Sequence, residues 1–186
     1  MDCEQIIPIK DAEDYLIKLA NKKQERLITS EINQNRDLKR QEFWSEFLLR
    51  INEQSNLFRN ASPSSGSFKT LASGYAGIWY GVVIKRSNVC VELCINNGKG
   101  FSAEDNKRLF DNLFQRKDEI EVKFGTQLEW ERNNNEKVCK VVYYLRNVSI
   151  YNEGDRDSMI EFLVKNMIKL EYALRDELKS AIPTQS

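Results

Sequence analysis

Two short runs in which every second residue is apolar constrain this chain more than any other feature of its sequence. The apolar positions are Ile78, Tyr80, Val82 and Ile84 in the first run and Val89, Val91, Leu93 and Ile95 in the second. Because side chains alternate between the two faces of a β-strand, each run predicts a strand with one apolar face. Only residues 86–88 separate the two runs, and a connection of that length predicts an antiparallel hairpin.

The opposite face of the second predicted strand carries Cys90, Glu92 and Cys94, and we expect it to be half-exposed. Four residues of strand span roughly 13 Å, which is too far for both thiols to bind one tetrahedral zinc ion. We therefore expect core or near-core thiols. The other cysteines are Cys3 and Cys139, and the N-terminus lacks the pattern of a signal peptide. The expectation is a reduced, cytoplasmic protein.

Two strand–strand–helix units are expected in the second half of the chain. Residues 101–125 predict the first helix, with Gly125 as the residue that ends it in a left-handed turn. Residues 128–132 and 138–148 predict two further strands, and residues 155–179 predict a last helix. Together the units predict an α+β fold, in which an antiparallel sheet of about four strands carries both helices on one face.

The first part of the chain predicts a helical N-terminal arm. Residues 11–56 are rich in helix formers and contain no glycine or proline, and a break between two helices is expected at residues 32–40. Residues 60–77 are rich in Ser, Gly and Ala and predict a loop, either a plain connector or a functional segment. The expected organisation is an arm over residues 1–40, an α+β domain over 41–180 and a tail over 181–186.

The composition excludes several classes of function. Lys plus Arg and Asp plus Glu each number 28, so no overall basic charge attracts the chain to nucleic acid or to an anionic membrane. Histidine is absent, which excludes a Ser-His-Asp or Cys-His site within the chain. No run of about 18 apolar residues occurs, so we expect no membrane partner. No cofactor is predicted.

The triplet Glu121-Val122-Lys123 has the Glu-x-Lys spelling of a metal-dependent nuclease site. Sites of that type place both residues on a strand, where alternation directs the two side chains toward one metal. Here the triplet falls at the end of a predicted helix, where residues two apart point about 200° apart. We therefore predict no catalytic residue in the triplet, and we expect Glu121 to pair with Lys117, four residues away.

Charged and aromatic residues on the predicted strands offer two other sites. Glu92, Glu129 and Glu131 are carboxylates that would suit Mg²⁺ if they met, although a solvated face explains them equally. Aromatic residues interleaved with lysine on a sheet face stack nucleic-acid bases. The residues expected on the exposed sheet face are Trp79, Lys85 and Glu92, together with some of Lys140, Val142 and Tyr144.

The order of five motifs gives the chain a family resemblance. The motifs are QEFWSEFLLRI, NASPSS, GYAGIWYGVVIKRSNVCVELCIN, RKDEIEVKFGTQLEWER and MIEFLVKNMIKLEYAL. The most specific positions are Lys117, Ile120, Glu121, Phe124, Gly125, Leu128, Glu129 and Trp130. From about Gln41 to Leu178 the chain resembles the prokaryotic domain of unknown function 4268 family. The resemblance implies a module of larger proteins, some with a nuclease-like or restriction-associated segment upstream, and it supplies no catalytic residues.

Two interpretations of these family-like residues stay open. In the structural one, Gly125 ends a helix, Trp130 fills the core and Lys117 pairs with Glu121. In the functional one, polar residues border a ligand groove beside the 60–77 loop. The ligand-groove candidates are Lys117, Glu121, Glu129, Glu92, Trp79 and Lys85.

The function expected from the sequence is that of a non-catalytic binding or regulatory module. The family resemblance implies a prokaryotic defence or nucleic-acid-processing setting, with nucleic acid or a nuclease-like protein as partner. One alternative is a small metal-dependent nuclease that uses clustered Glu residues, although we predict no metal ligands. The other is a protein-interaction module that forms a homo-oligomer through its N-terminal helices.

Overall fold

A computed structural model describes residues 9–96 and 102–181, with side chains from residue 14 onward in those ranges. In chain order the elements are α1 (Ile9–Gln54), β1 (Phe68–Ala72), β2 (Ile78–Ile84), β3 (Asn88–Ile95), α2 (Ala103–Phe114), α3 (Lys117–Phe124), β4 (Glu129–Glu131), β5 (Cys139–Arg146), a short 3₁₀ turn (Glu153–Asp155) and α4 (Arg156–Ala181). The chain forms two compact units, residues 1–38 and 39–186. Cys3 and tail residues 182–186 lie outside the described residues.

The five strands form one antiparallel sheet in the order β1-β2-β3-β5-β4. Strands β2 and β3 are the predicted hairpin, in which Tyr80 lies opposite Leu93. Strand β5 pairs with β3 on one side and with β4 on the other. The β2-β3 and β4-β5 pairs are each followed by helix, which confirms the predicted α+β class with its antiparallel sheet.

The hydrophobic core lies on one face of this sheet. It joins the second half of α1 and helices α2, α3 and α4 to the apolar face of β2, β3 and β5. The strand residues in the core are Ile78, Tyr80, Val82, Ile84, Val89, Val91, Leu93, Ile95, Cys139 and Val141. Cys90, Glu92 and Cys94 are also buried but lie outside this cluster, on the opposite side of β3. The described helices of residues 39–186 therefore cover one face.

The other face is called the open face below. It consists of Phe68, Thr70 and Ala72 from β1, Trp79, Gly81 and Val83 from β2, Asn88, Cys90, Glu92 and Cys94 from β3, Lys140, Val142, Tyr144 and Arg146 from β5, and Glu129 and Glu131 from β4. Residues that lie opposite each other on neighbouring strands share a face, so the pairing register fixes this membership.

Two predictions about helix boundaries are wrong. The break expected at residues 32–40 is absent, because α1 continues through that segment. The segment has no glycine or proline to interrupt the helical hydrogen bonds, and its polar composition alone does not end a helix. The single helix expected over residues 101–125 is divided into α2 and α3 at Gln115 and Arg116. The division leaves Leu113 and Ile120 both buried in the core.

The loop predicted over residues 60–77 is wrong in part, because it contains β1. This strand pairs with β2 from Phe68 opposite Val83 to Ala72 opposite Trp79. The chain before it is fixed by α1, where the Trp44 indole N–H donates to the Gly66 carbonyl at 2.7 Å. A five-residue strand at a sheet edge needs only one partner strand. Its few alternating residues are flanked by serine and glycine, so the sequence pattern indicated a loop.

Gly125 ends α3 with φ 94° and ψ 9°, and its N–H donates to the Glu121 carbonyl at 2.8 Å, so the predicted boundary is confirmed. An added Cβ would meet Lys169 Nζ at 3.6 Å, an ordinary contact, so a substitution strains only the backbone. We expect Gly125→Ala to lower the free energy of unfolding by about 1–2 kcal/mol. Gly125→Asn should cost less, because asparagine tolerates the left-handed conformation. Urea denaturation measures both, and equal losses would contradict this account.

Candidate functional site

The Glu-x-Lys triplet lies on α3, and its two charged residues make separate contacts. Oε1 of Glu121 accepts hydrogen bonds from the Leu128 backbone N–H at 2.9 Å and from the Trp130 indole N–H at 3.0 Å. Nζ of Lys123 instead donates to Glu177 on α4 at 2.5 Å. The triplet therefore forms no single site. Glu121 connects α3 to the start of β4, and Lys123 connects α3 to α4.

The structure places four of the six ligand-groove candidates on one face of the sheet, although Trp79 and Lys85 lie at opposite ends of β2. Trp79, Glu92 and Glu129 lie on the open face, and Nζ of Lys85 lies 5.0 Å from the ring centroid of Tyr144 on that face. The other two candidates belong to α3, on the helix-covered side of the sheet.

Those two candidates contact each other and the helices. Lys117 Nζ lies 3.9 Å from Glu121 Oε1, which confirms the predicted pair, and 5.7 Å from the ring centroid of Phe114. Since the sheet lies between them and the open face, Lys117 and Glu121 do not share a surface with the other four candidates.

A buried ion pair occupies the centre of the open face. The Glu92 side chain is 7% exposed, and Nζ of Lys140 donates to both of its carboxylate oxygens, at 2.9 and 3.2 Å. Burial lowers the pKa of Lys140, but the hydrogen bond and the charge of Glu92 raise it by more, so the net pKa is above its usual value. Lys140 therefore stays protonated and neutralises the buried carboxylate.

Gly81 makes room for that carboxylate. It lies directly opposite Glu92 on the neighbouring strand, between the half-buried Trp79 and Val83. A Cβ at Gly81 would lie 3.0 Å from Cγ and 3.4 Å from Oε1 of Glu92. The glutamate side chain therefore lies against the β2 backbone where a larger residue would displace it.

A second cluster surrounds Tyr144 on β5. The tyrosine hydroxyl donates to Glu131 at 2.9 Å, and the guanidinium carbon of Arg146 lies 4.4 Å from the ring centroid. Arg146 also donates to Glu129 at 2.6 Å. Burial, followed by the hydrogen bond to Glu131, raises the pKa of Tyr144 above its usual value. The hydroxyl is therefore neutral, and a ring flanked by Lys85 and Arg146 is presented at this end of the open face.

The thiols beside Glu92 are not nucleophiles. Burial, assisted by the charge of Glu92, raises the pKa of both Cys90 and Cys94 to about 12. A thiol reacts as its thiolate, so neither group is activated at neutral pH. Both cysteines are free and buried, which confirms the expected core or near-core thiols. The expectation that Cys90, Glu92 and Cys94 form a half-exposed face is wrong, because all three side chains are buried.

The side chains of the open face can bind a ligand through packing and hydrogen bonds. Its three carboxylates are each engaged within the chain: Glu92 with Lys140, Glu129 with Arg146 and Glu131 with Tyr144. Within residues 14–96 and 102–181, no group of three His, Cys, Asp or Glu side chains is placed to hold a metal ion. What the face presents to a ligand is aromatic rings and cations.

A shallow depression of about 580 Å³ lies elsewhere on the surface. Its lining residues are Glu104, Lys107, Arg108 and Arg132. Arg132 donates to Asp111 at 2.8 Å, Lys107 donates to the Asn134 carbonyl at 2.8 Å, and Arg108 pairs with Asp105. Its lining residues include no aromatic ring on which a ligand could stack, and its cations are engaged within the chain, so we place no site there.

The sequence analysis missed Phe68 and Arg146 as parts of the exposed surface. Phe68 is 59% exposed on β1, inside the segment predicted as a loop. Arg146 ends β5 and lies on the same face as Tyr144 and Val142, which are two and four residues before it. That alternation was the available signal for Arg146, whereas Phe68 required the pairing of β1 to be known.

One comparison with known proteins covers the whole sheet. A family model described as "Domain of unknown function (DUF4268)" matches residues 39–178, about three quarters of the chain. No curated protein and no solved structure matches the chain. In the part of the chain that the structure describes, no helix is long and apolar enough to cross a bilayer. The family match includes every residue of the open face.

Proposed function

The chain belongs to the domain of unknown function DUF4268 family, and from that premise we propose that it is a non-catalytic binding module that uses the open face of its sheet. The observation that carries the proposal is the layer of partly exposed rings and cations on the face opposite the core. It combines Phe68, Trp79 and Tyr144 with Lys85 and Arg146. The buried pair beneath this layer neutralises the one carboxylate at its centre.

Single-stranded nucleic acid is the ligand that this chemistry favours. Bases stack on aromatic rings of an exposed sheet face, and nearby cations contact the phosphates. Two of the three carboxylates of the face, Glu92 and Glu129, are paired with cations, so they repel a phosphate backbone less than free carboxylates would. Glu131, by contrast, accepts from the neutral Tyr144 hydroxyl and keeps its charge. The family resemblance supports a setting in prokaryotic defence or nucleic-acid processing. The free thiols Cys90, Cys94 and Cys139 support a cytoplasmic location.

Replacing Trp79 tests the proposal. We expect Trp79→Ala to weaken binding of a labelled single-stranded oligonucleotide by about tenfold to a hundredfold, because one base loses its stacking partner. Fluorescence anisotropy at low ionic strength measures the dissociation constant, and Trp79→Phe should recover part of the loss. Val122→Ala is the matched control, since Val122 is 81% exposed on α3.

Two results would remove the proposed ligand. One is the absence of binding at low ionic strength, where phosphate contacts are strongest. The other is an equal loss of affinity in Trp79→Ala and Val122→Ala. Cleavage of the oligonucleotide with added Mg²⁺ or Mn²⁺, abolished by Glu129→Ala, would favour the metal-dependent nuclease instead.

Protein interaction through the N-terminal helix is a second candidate function. Residues 14–38 are helical and carry eight large apolar side chains that are each 49–64% exposed. They are Tyr15, Leu16, Ile17, Leu19, Leu27, Ile28, Ile32 and Leu38. Exposed apolar side chains at this density favour contact with another protein surface or with a second copy of the helix.

A further inference from the structure

The outer edge of β1 carries unpaired backbone groups. Among the described strands, β1 pairs with β2 alone. The Ile84 N–H donates to the Ser67 carbonyl at 2.7 Å, which fixes the alternation of hydrogen bonds along this pair. Residues 69 and 71 therefore direct their N–H and C=O groups toward β2. Phe68, Thr70 and Ala72 direct theirs outward, at the free edge of the sheet.

This edge lacks the protection that the opposite edge has. Strand β4 is three residues long and carries Glu129 and Glu131, features that discourage edge pairing. Strand β1 is five residues long, contains no proline, and pairs with β2 without a bulge. Its one charge, Lys69, faces the helix-covered side, where Nζ donates to the Ser62 carbonyl at 2.5 Å and to Ser64 Oγ at 2.8 Å.

We propose that β1 pairs with β1 of a second copy of this chain, antiparallel about a two-fold axis at Thr70. Thr70 then lies opposite Thr70 of the second copy, and Phe68 lies opposite Ala72 in both halves of the interface. The three outward-facing residues of each strand exchange six backbone hydrogen bonds, and two five-stranded sheets become one continuous sheet. This pairing does not rest on the ligand proposed above, although Phe68 belongs to both surfaces.

The side chains fit this register as well as the backbone does. The exposed Phe68 ring lies beside the small Ala72 of the second copy, so a large side chain meets a small one on the open face. Thr–Thr pairs across strands are favourable. On the helix-covered side, Lys69 lies opposite Leu71 of the second copy, so no like charges oppose each other. A two-fold axis at any other residue would leave outward-facing groups unpaired.

Sedimentation of the full chain over a range of concentrations tests the pairing. The wild type should approach twice the monomer mass of 21.8 kDa. Thr70→Lys places two ammonium groups opposite each other on the axis and should raise the dissociation constant at least tenfold. Thr70→Val, which keeps the strand propensity without the charge, should remain dimeric.

Cysteine cross-linking tests the register, in a Cys3→Ser background. In a hydrogen-bonded pair the two Cα atoms are about 5.5 Å apart, within the range of a disulfide. Thr70→Cys should therefore yield a covalent dimer on oxidation. Ala72→Cys is the matched control: it lies on the same strand and face, but its counterpart in the second copy is offset by four residues, roughly 14 Å along the strand.

Three results would overturn the inference. A chain that is monomeric at every concentration would leave the edge free for a strand of another protein. A dimer that persists in Thr70→Lys would assign self-association to another surface, such as residues 14–38. Equal cross-linking of Thr70→Cys and Ala72→Cys would exclude the two-fold axis at Thr70.

Discussion

Replacing Lys140 with methionine is expected to lower the free energy of unfolding by about 3 kcal/mol. The substitution leaves the Glu92 carboxylate, 7% exposed, on the central strand without the cation that pairs with it. Arg146→Met is the matched control, because Arg146 lies on the same strand and face and pairs with Glu129 at 2.6 Å. Both partners of that pair are more than half exposed, so its loss should cost less than about 1 kcal/mol.

The double variant Glu92→Leu/Lys140→Met separates the cost of an unpaired charge from the contribution of the pair itself. A buried ion pair replaced by apolar side chains of similar size is often neutral or stabilising. We expect the double variant to recover most of the stability lost in Lys140→Met. Urea denaturation of the four proteins gives the comparison. Equal costs for Lys140→Met and Arg146→Met, or no recovery in the double variant, would contradict the buried pair.

The Glu92–Lys140 ion pair also limits how a ligand can bind to the open face. A ligand that separated Glu92 from Lys140 would incur the same cost as the substitution, so binding through that pair is unfavourable. Trp79 and Lys85 lie on the same face, and among the described residues no ion pair involves Lys85. The proposed binding therefore depends on contacts with Trp79 and Lys85. The Glu92–Lys140 pair stays intact and neutralises the centre of the face between them.

Alternation predicted β2, β3, β5 and the edge strand β4, and it failed at the other edge of the sheet, where β1 lies. Strands β2 and β3 each have a complete apolar face, so their sequences carried the signal. Strand β1 has half-buried Lys69 and Leu71 on its covered side and only five residues. A short edge strand is specified by its neighbour more than by its own pattern, and for that reason it was predicted as a loop.

In the candidate site, local alternation predicted the face on which a residue lies but not the partner that it contacts. Parity along the strands correctly placed Trp79 and Glu92 on one face, because a strand's side chains alternate whatever its partners are. The contact of Glu92 with Lys140 depends on the register between β3 and β5, which lie 48 residues apart at these positions. The acceptor role of Glu121 likewise depends on how the chain folds back after Gly125. Neither register nor fold-back is encoded in a local pattern.

Replacing Glu121 with alanine is the second substitution for which we expect a large loss, about 3 kcal/mol of the free energy of unfolding. Its carboxylate accepts from two donors, the Leu128 N–H and the Trp130 indole, and its side chain is 12% exposed. Each donor left without a partner in a buried position costs about 1–3 kcal/mol. The loss should be visible in urea denaturation and in the fluorescence of Trp130.

Glu121→Gln is the control that assigns the cause. Glutamine keeps an acceptor oxygen for both donors and removes only the charge. The ion pair of that charge with Lys117 is long, at 3.9 Å. We therefore expect Glu121→Gln to cost less than about 1 kcal/mol. A loss as large as that of the alanine variant would show that the charge matters more than the hydrogen bonds. The expected order, with alanine far below glutamine, identifies the first residue of the nuclease-like triplet as the acceptor that holds α3 against β4.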